Sequence, residues 1–181
     1  MALDDADDRY RAPALDKGLD ILEVLAQHGE SLTQVEIAKE LGLDVTFKDI
    51  AFDGLPDALA LGQIDLVAAA LTVTPERAAL LDFSAPYFAS TEGYLMRPGA
   101  EQITAAGDLQ DLRIGVEKGS IYEQWLAQAG LDPNKLQRYS SSEAAVADIA
   151  EDRIDVLVTD LPNAQALARR HGLAVAGRGL F

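Results

Sequence analysis

Two runs of strand length constrain this chain more than any other feature: IDLVAAAL at 64–71 and IDVLVTD at 154–160. Each is nearly continuous in apolar residues, where a strand with one wet face would alternate. Strands of that kind are covered on both faces, which means helices above and below a sheet that is largely parallel. The intervening segments supply those helices. GLPDALALGQ starts a short helix at Leu55 or Pro56, TPERAALL is a helical turn, and ITAAGDLQDL is a short helix. IYEQWLAQAG is amphipathic, SSEAAVADIAEDR is a helix capped at Ser141 or Ser142, and LPNAQALARRHG is the last helix. Further strands fall at DVTFKDIAF, STEGYLMRP, RIGVEKGS, KLQRYS and LAVAGRGL. The expected fold class is α/β with mainly parallel sheets.

The first part of the chain has a different texture. Residues 1–13 read as a flexible acidic leader, and residues 14–43 as a pair of helices joined by a polar turn. Leu15, Leu19, Leu22, Val24 and Leu25 stripe the first helix; Leu32, Val35, Ile37, Ala38 and Leu41 stripe the second, which Gly42 stops. Beyond them, ALALGQIDLVAAALTVT and AVADIAEDRIDVLVTDLP both run from a helix through Ile-Asp into a strand and then a loop. That echo predicts two α/β lobes, a partial one at 44–97 and a second at 98–181.

Composition narrows the function classes. Thirty acidic against fifteen basic residues leave a formal net charge of −15, which disfavours nucleic acid as a partner. With no cysteine and two histidines, thiolate metal sites and cysteine nucleophiles are excluded. His28 and His171 each precede a glycine near a helix end, where an imidazolium suits the helix dipole better than a metal site. No nucleophile elbow, metal-ligand spacing or phosphate loop is present, so the expectation is a non-enzyme without cofactor. Glu92 and Glu117 are the acids that an enzymatic reading would have to use. MALDDADDRY has no apolar stretch, and no later segment reaches transmembrane length, so the chain as given is expected to stay in the cytosol without membrane insertion.

LTVTPER, DFSAPYF, VEKGS and VLVTD occur in that order between residues 71 and 160. With the segments around them, residues 35–181 resemble the periplasmic amino-acid-binding proteins of bacterial transport systems. Residues 10–43 resemble the first helices of the winged helix-turn-helix domain in IclR-type regulators. The two resemblances overlap on VEIAKELGL, as in a mosaic joined at a shared helix. The binding-protein family has a first strand with a covering loop, and a closing return of the chain, that find no counterpart here; the expected fold is therefore incomplete. The DNA-reading helix also has no counterpart, since DVTFKDIAF reads as a strand. A missing central strand exposes backbone and apolar surface, which predicts self-association.

The resemblance implies a site for a small zwitterion. Arg77 matches the family's clamp on the α-carboxylate, a task that suits a planar guanidinium able to make two parallel hydrogen bonds. Thr72 matches a ligand-contacting hydroxyl at the end of a strand, and Ala70 a position that contributes a hydroxyl or backbone atoms. Ser120 and Ile121 open a helix whose free amides favour an anion. Asp160 matches the residue that pairs with the α-ammonium group, and Phe52 lines the cleft. Other roles stay open for the same residues: Arg77 pairing with Glu76 or Asp82, Asp160 or Ser120 capping a helix, and Phe52, Tyr87 and Phe88 as core. Two further outcomes also remain, a recombined scaffold that binds nothing and a DNA-binding regulator with a sensing domain.

Overall fold

The computed structural model describes residues 42, 45–86 and 88–180. The acidic leader, the helical pair apart from Gly42, and Tyr87 lie outside the described residues. The described chain divides into two compact units, one of residues 42, 45–50 and 55–86, the other of residues 51–54 and 88–180.

In the first unit, helix α1 spans Leu55–Ala60 and buries Leu55 and Ala58. Helix α2, Pro75–Ala78, is a single turn. Thr74 caps it, its Oγ1 accepting from the Arg77 amide at 3.3 Å, and Pro75 has the backbone angle that a first helical position needs. The strands expected at DVTFKDIAF and IDLVAAAL do not form: among the described residues, 45–50 and 64–71 join no ladder, and Ala68, Ala69 and Ala70 are exposed. A strand exists through its neighbours, and neither run is paired in a ladder with a described one.

The second unit is built on one sheet of five strands: β1 Glu92–Met96, β2 Ile114–Glu117, β3 Leu136–Tyr139, β4 Val156–Asp160 and β5 Ala174–Arg178, in the order β3-β2-β4-β1-β5. β2 is parallel to β3 and to β4, while β1 runs antiparallel to both β4 and β5. Four strands therefore point one way and β1 alone is reversed, inserted between β4 and β5. Residues 92–96, placed by the sequence at the end of the first lobe, are laddered into this sheet instead. Local pattern reveals a strand but not the sheet it joins.

Helices α3 (Ile121–Gln128), α4 (Ser142–Ala150) and α5 (Leu161–His171) cover the two faces. On one face Tyr94, Met96, Ile114, Val116, Val156 and Val158 pack with Tyr122 and Leu126 of α3. On the other, Leu95 and Leu157 pack with Ala145, Val146 and Ile149 of α4 and with Ala164 and Leu167 of α5. The near-continuous apolar runs of β1 and β4 thus follow from burial on both sides. Ser141, not Ser142, caps α4, accepting from the Ala144 amide at 3.2 Å. Gly177 is required where β5 passes the carbonyl of Ile103, because a Cβ there would meet that oxygen at 2.3 Å.

Candidate functional site

The strand directions bring one set of residues to a single edge of the sheet: the ends of β2, β3, β4 and β5 and the start of β1. Open α/β sheets bind ligands at this edge, where helix N-termini and strand ends converge. Glu117 ends β2, Tyr139 ends β3, Asp160 ends β4 and Glu92 starts β1.

The turn after β2 is tightly built. Gly119 has φ +78°, and a Cβ on it would come within 2.8 Å of the Asp53 Cβ; glycine meets both demands. Lys118 reaches Asp53 with Nζ to Oδ2 at 2.8 Å, and this hydrogen bond holds the Asp53 carboxyl below its ordinary range. Phe52, half-buried, stands in the same short turn, residues 52–54. Ser120 caps α3 as its alternative role required, accepting from the Glu123 amide at 3.2 Å. Its own amide bonds the Glu117 carbonyl at 3.2 Å, and the Gly119 amide donates to Glu123 Oε2 at 2.7 Å. Ile121 is the first helical residue, and its amide has no acceptor within the helix.

Asp160 immediately precedes α5 but makes no capping hydrogen bond with its side chain. Its Oδ1 instead accepts from the Tyr122 hydroxyl at 2.6 Å. Burial and that bond push the Tyr122 phenol well above its ordinary pKa, so it acts as a fixed donor. On the opposite face of the sheet end, Glu117 Oε2 accepts from Ser142 Oγ at 2.9 Å. Ser142 in turn bonds Thr159 at 3.1 Å, and Asn163 donates to Thr159 at 3.0 Å. Burial raises the Glu117 pKa; the Ser142 bonds offset part of this, and the charges of Asp160 and Asp53 add to it.

In the first unit, Arg77 Nη1 donates to the Thr72 carbonyl at 2.8 Å, which brings those two candidates together. Thr72 is exposed, and partial burial of Arg77 lowers its pKa from the ordinary value. Ala70 has φ +49°, a conformation an L-residue with a Cβ seldom adopts.

Sequence reasoning ranked Asp160, Ser120 and Arg77 but gave no site role to Tyr122, Asp53 or Lys118. Tyr122 sits at helical spacing with Leu126 and reads as core. Asp53 and Lys118 lie 65 residues apart with no shared motif. Only the fold makes them neighbours. Among the described residues no group of acidic or histidine side chains is arranged to hold a metal ion, and no helix is long and apolar enough to cross a membrane.

Comparison with known proteins agrees with this architecture. Residues 33–160 match the family of bacterial extracellular solute-binding proteins, family 3, and residues 14–46 match the IclR helix-turn-helix domain. A probable histidine-binding protein of Campylobacter jejuni is 32% identical over 130 residues, 72% of this chain and 50% of that protein. The L-cystine-binding protein TcyJ of Escherichia coli is 33% identical over 147 residues, covering 78% of this chain and 54% of that protein. An ancestral arginine-binding protein bound to glutamine superposes with a TM-score of 0.71 at 33% identity, over 79% of this chain and 64% of that one. The chain belongs to the family 3 solute-binding proteins. It spans about half the length of the curated relatives it matches.

Proposed function

We propose that this chain is a non-enzymatic binding module for a small zwitterionic ligand, a polar amino acid, held more weakly than by full-length relatives. Arg77 takes the α-carboxylate, with Thr72 and the backbone at Ala70 beside it; Ser120 and Ile121 offer the start of α3 to the same anion. Asp160 takes the α-ammonium group, and Phe52 contributes apolar wall. The observation that carries this reading is the state of Asp160. It ends a buried strand at the edge where strand ends and helix N-termini converge, declines the capping role, and is oriented by a buried phenol. The relatives named for histidine, cystine and arginine make polar amino acids the first ligands to try.

Isothermal titration with each of the twenty amino acids tests the proposal. One or more should bind, and Arg77→Ala should weaken that binding by at least tenfold, since a charge-assisted bidentate pair contributes a few kcal/mol. Equal heats from the variant and the parent would reject the clamp. The match of residues 14–46 to a DNA-binding domain favours a second reading, a regulator with a sensing domain. The net charge of −15 opposes it, and salt-dependent binding to duplex DNA would revive it. A recombined scaffold without ligand is the outcome if neither binds.

A further inference from the structure

Residues 51–54 group with the second unit, although residues 45–50 and 55–86 on either side group with the first. This four-residue strap is a single turn, closed by the Gly54 amide on the Ala51 carbonyl at 2.8 Å, and it carries Phe52. Asp53 docks it. The Asp53 Cβ and Cα lie so near Gly119 that a Cβ added to the glycine would meet them at 2.8 and 2.9 Å, and Asp53 Oδ2 takes Lys118 Nζ at 2.8 Å.

Lys118 is a well-anchored partner. Its amide donates to the Tyr139 carbonyl at 2.9 Å, just past the pairing of Glu117 with Tyr139, so its side chain starts from the sheet itself. Glu123, the other carboxylate whose charge reaches Lys118, is engaged by Arg138 Nε and by the Gly119 amide. The Lys118 ammonium turns to Asp53 instead. Glu117 feels the charges of both Asp160 and Asp53, which sets the strap at the same edge of the sheet as Asp160. With Lys118 59% and Asp53 31% exposed, the pair is too open to water to hold a fold together. It is of the size that tips a short strap between docked and released, and a ligand that needs the docked state binds in proportion to the docked fraction. Resting on the amino-acid-binding reading, we propose that Lys118 is a positioning residue: by clasping Asp53 it holds the 51–54 strap against the start of α3 and so keeps Phe52 in place as the apolar wall of the ligand site.

Isothermal titration of the wild-type chain, Lys118→Met and Lys118→Arg with L-arginine and with L-glutamine tests this. Lys118→Met should weaken both probes by about two- to fivefold, the reach of an exposed ion pair, and leave the thermal midpoint level. Lys118→Arg keeps the pair and should bind as wild type does. In a Phe52→Ala background, or Phe52→Leu if alanine leaves too little heat to titrate, Lys118→Met should change nothing further, because the clasp then holds no wall. Equal affinity in Lys118→Met and wild type overturns the inference. So does a loss of the same size in the Phe52 background, which would make Lys118 a charge acting directly on the ligand, or a loss that Lys118→Arg shares. Hydrogen exchange at the Gly54 amide of the ligand-free chain separates this inference from the reading beneath it, since Lys118→Met should speed that exchange by a similar factor. A wild-type chain that binds neither probe overturns the amino-acid reading and the positioning role with it, while faster Gly54 exchange in Lys118→Met supports the clasp itself; equal exchange overturns the clasp whatever binds.

Discussion

Gly119 illustrates how much a single position can carry. Its positive φ and its contact with Asp53 set the path of the turn that presents Lys118 to Asp53 and Ser120 to α3. Gly119→Ala should destabilise the chain by about 1–3 kcal/mol, read from chemical denaturation, with an unchanged midpoint as the contrary result. Glu117 makes a prediction of opposite sign. Its pKa is raised in the folded chain, chiefly by burial, so folding favours the protonated form. The stability that form contributes is complete below the usual glutamate value of 4.5 and is lost as pH rises through the higher folded value. Glu117→Gln should therefore melt higher than the parent at neutral pH, with the difference closing below pH 4.5. A gap that widens on acidification would refute the assignment. The sequence marks Glu117 as an acid that only an enzymatic reading would use; its hydrogen bond to Ser142 at the start of α4 is a contact that local pattern does not reveal.

Among the elements, α3 is the one on which the edge depends. It carries Ser120 at its cap, Tyr122 toward Asp160, and Leu126 into the core with no exposed surface. Leu126→Ala should cost about 2–5 kcal/mol, the price of lost burial plus a cavity, and a denaturation midpoint within error of the parent would contradict this packing. At the opposite edge, Arg113 bonds both Asp155 and Asp152, Arg97 joins them, and Asp155 accepts from the Arg113 amide at 2.8 Å. This network ties the start of β2 to the start of β4, at the end of the sheet away from Glu117, Asp160 and Glu92. The helices of this unit were legible from spacing, caps and terminal glycines, because those are local effects. The reversal of β1 was not: STEGYLMRP has the same apolar content whichever way it runs, and only the neighbours β4 and β5 fix its direction.

For the whole molecule, the two units differ in how well they cover their apolar groups. The second has a core on each face of its sheet. In the first, Phe47, Leu61, Val73 and Leu80 are exposed by 43%, 71%, 53% and 78%, and the strand-like run at 64–71 joins no ladder among the described residues. Exposed apolar groups beside unpaired backbone favour association. Light scattering should give a mass above the 19.4 kDa of one chain, falling toward it in Leu61→Lys/Leu80→Lys; a monomer at all concentrations would count against this expectation.

The sequence by itself determined the α/β class and the helices of the second unit, because helical spacing, caps and terminal glycines are written in consecutive residues. Tertiary structure decided which strands pair, where β1 belongs, and that Glu92 faces Asp160 across a ladder. Those outcomes depend on hydrogen bonds and charges between residues far apart in the chain, and no local pattern encodes which distant partner will supply them.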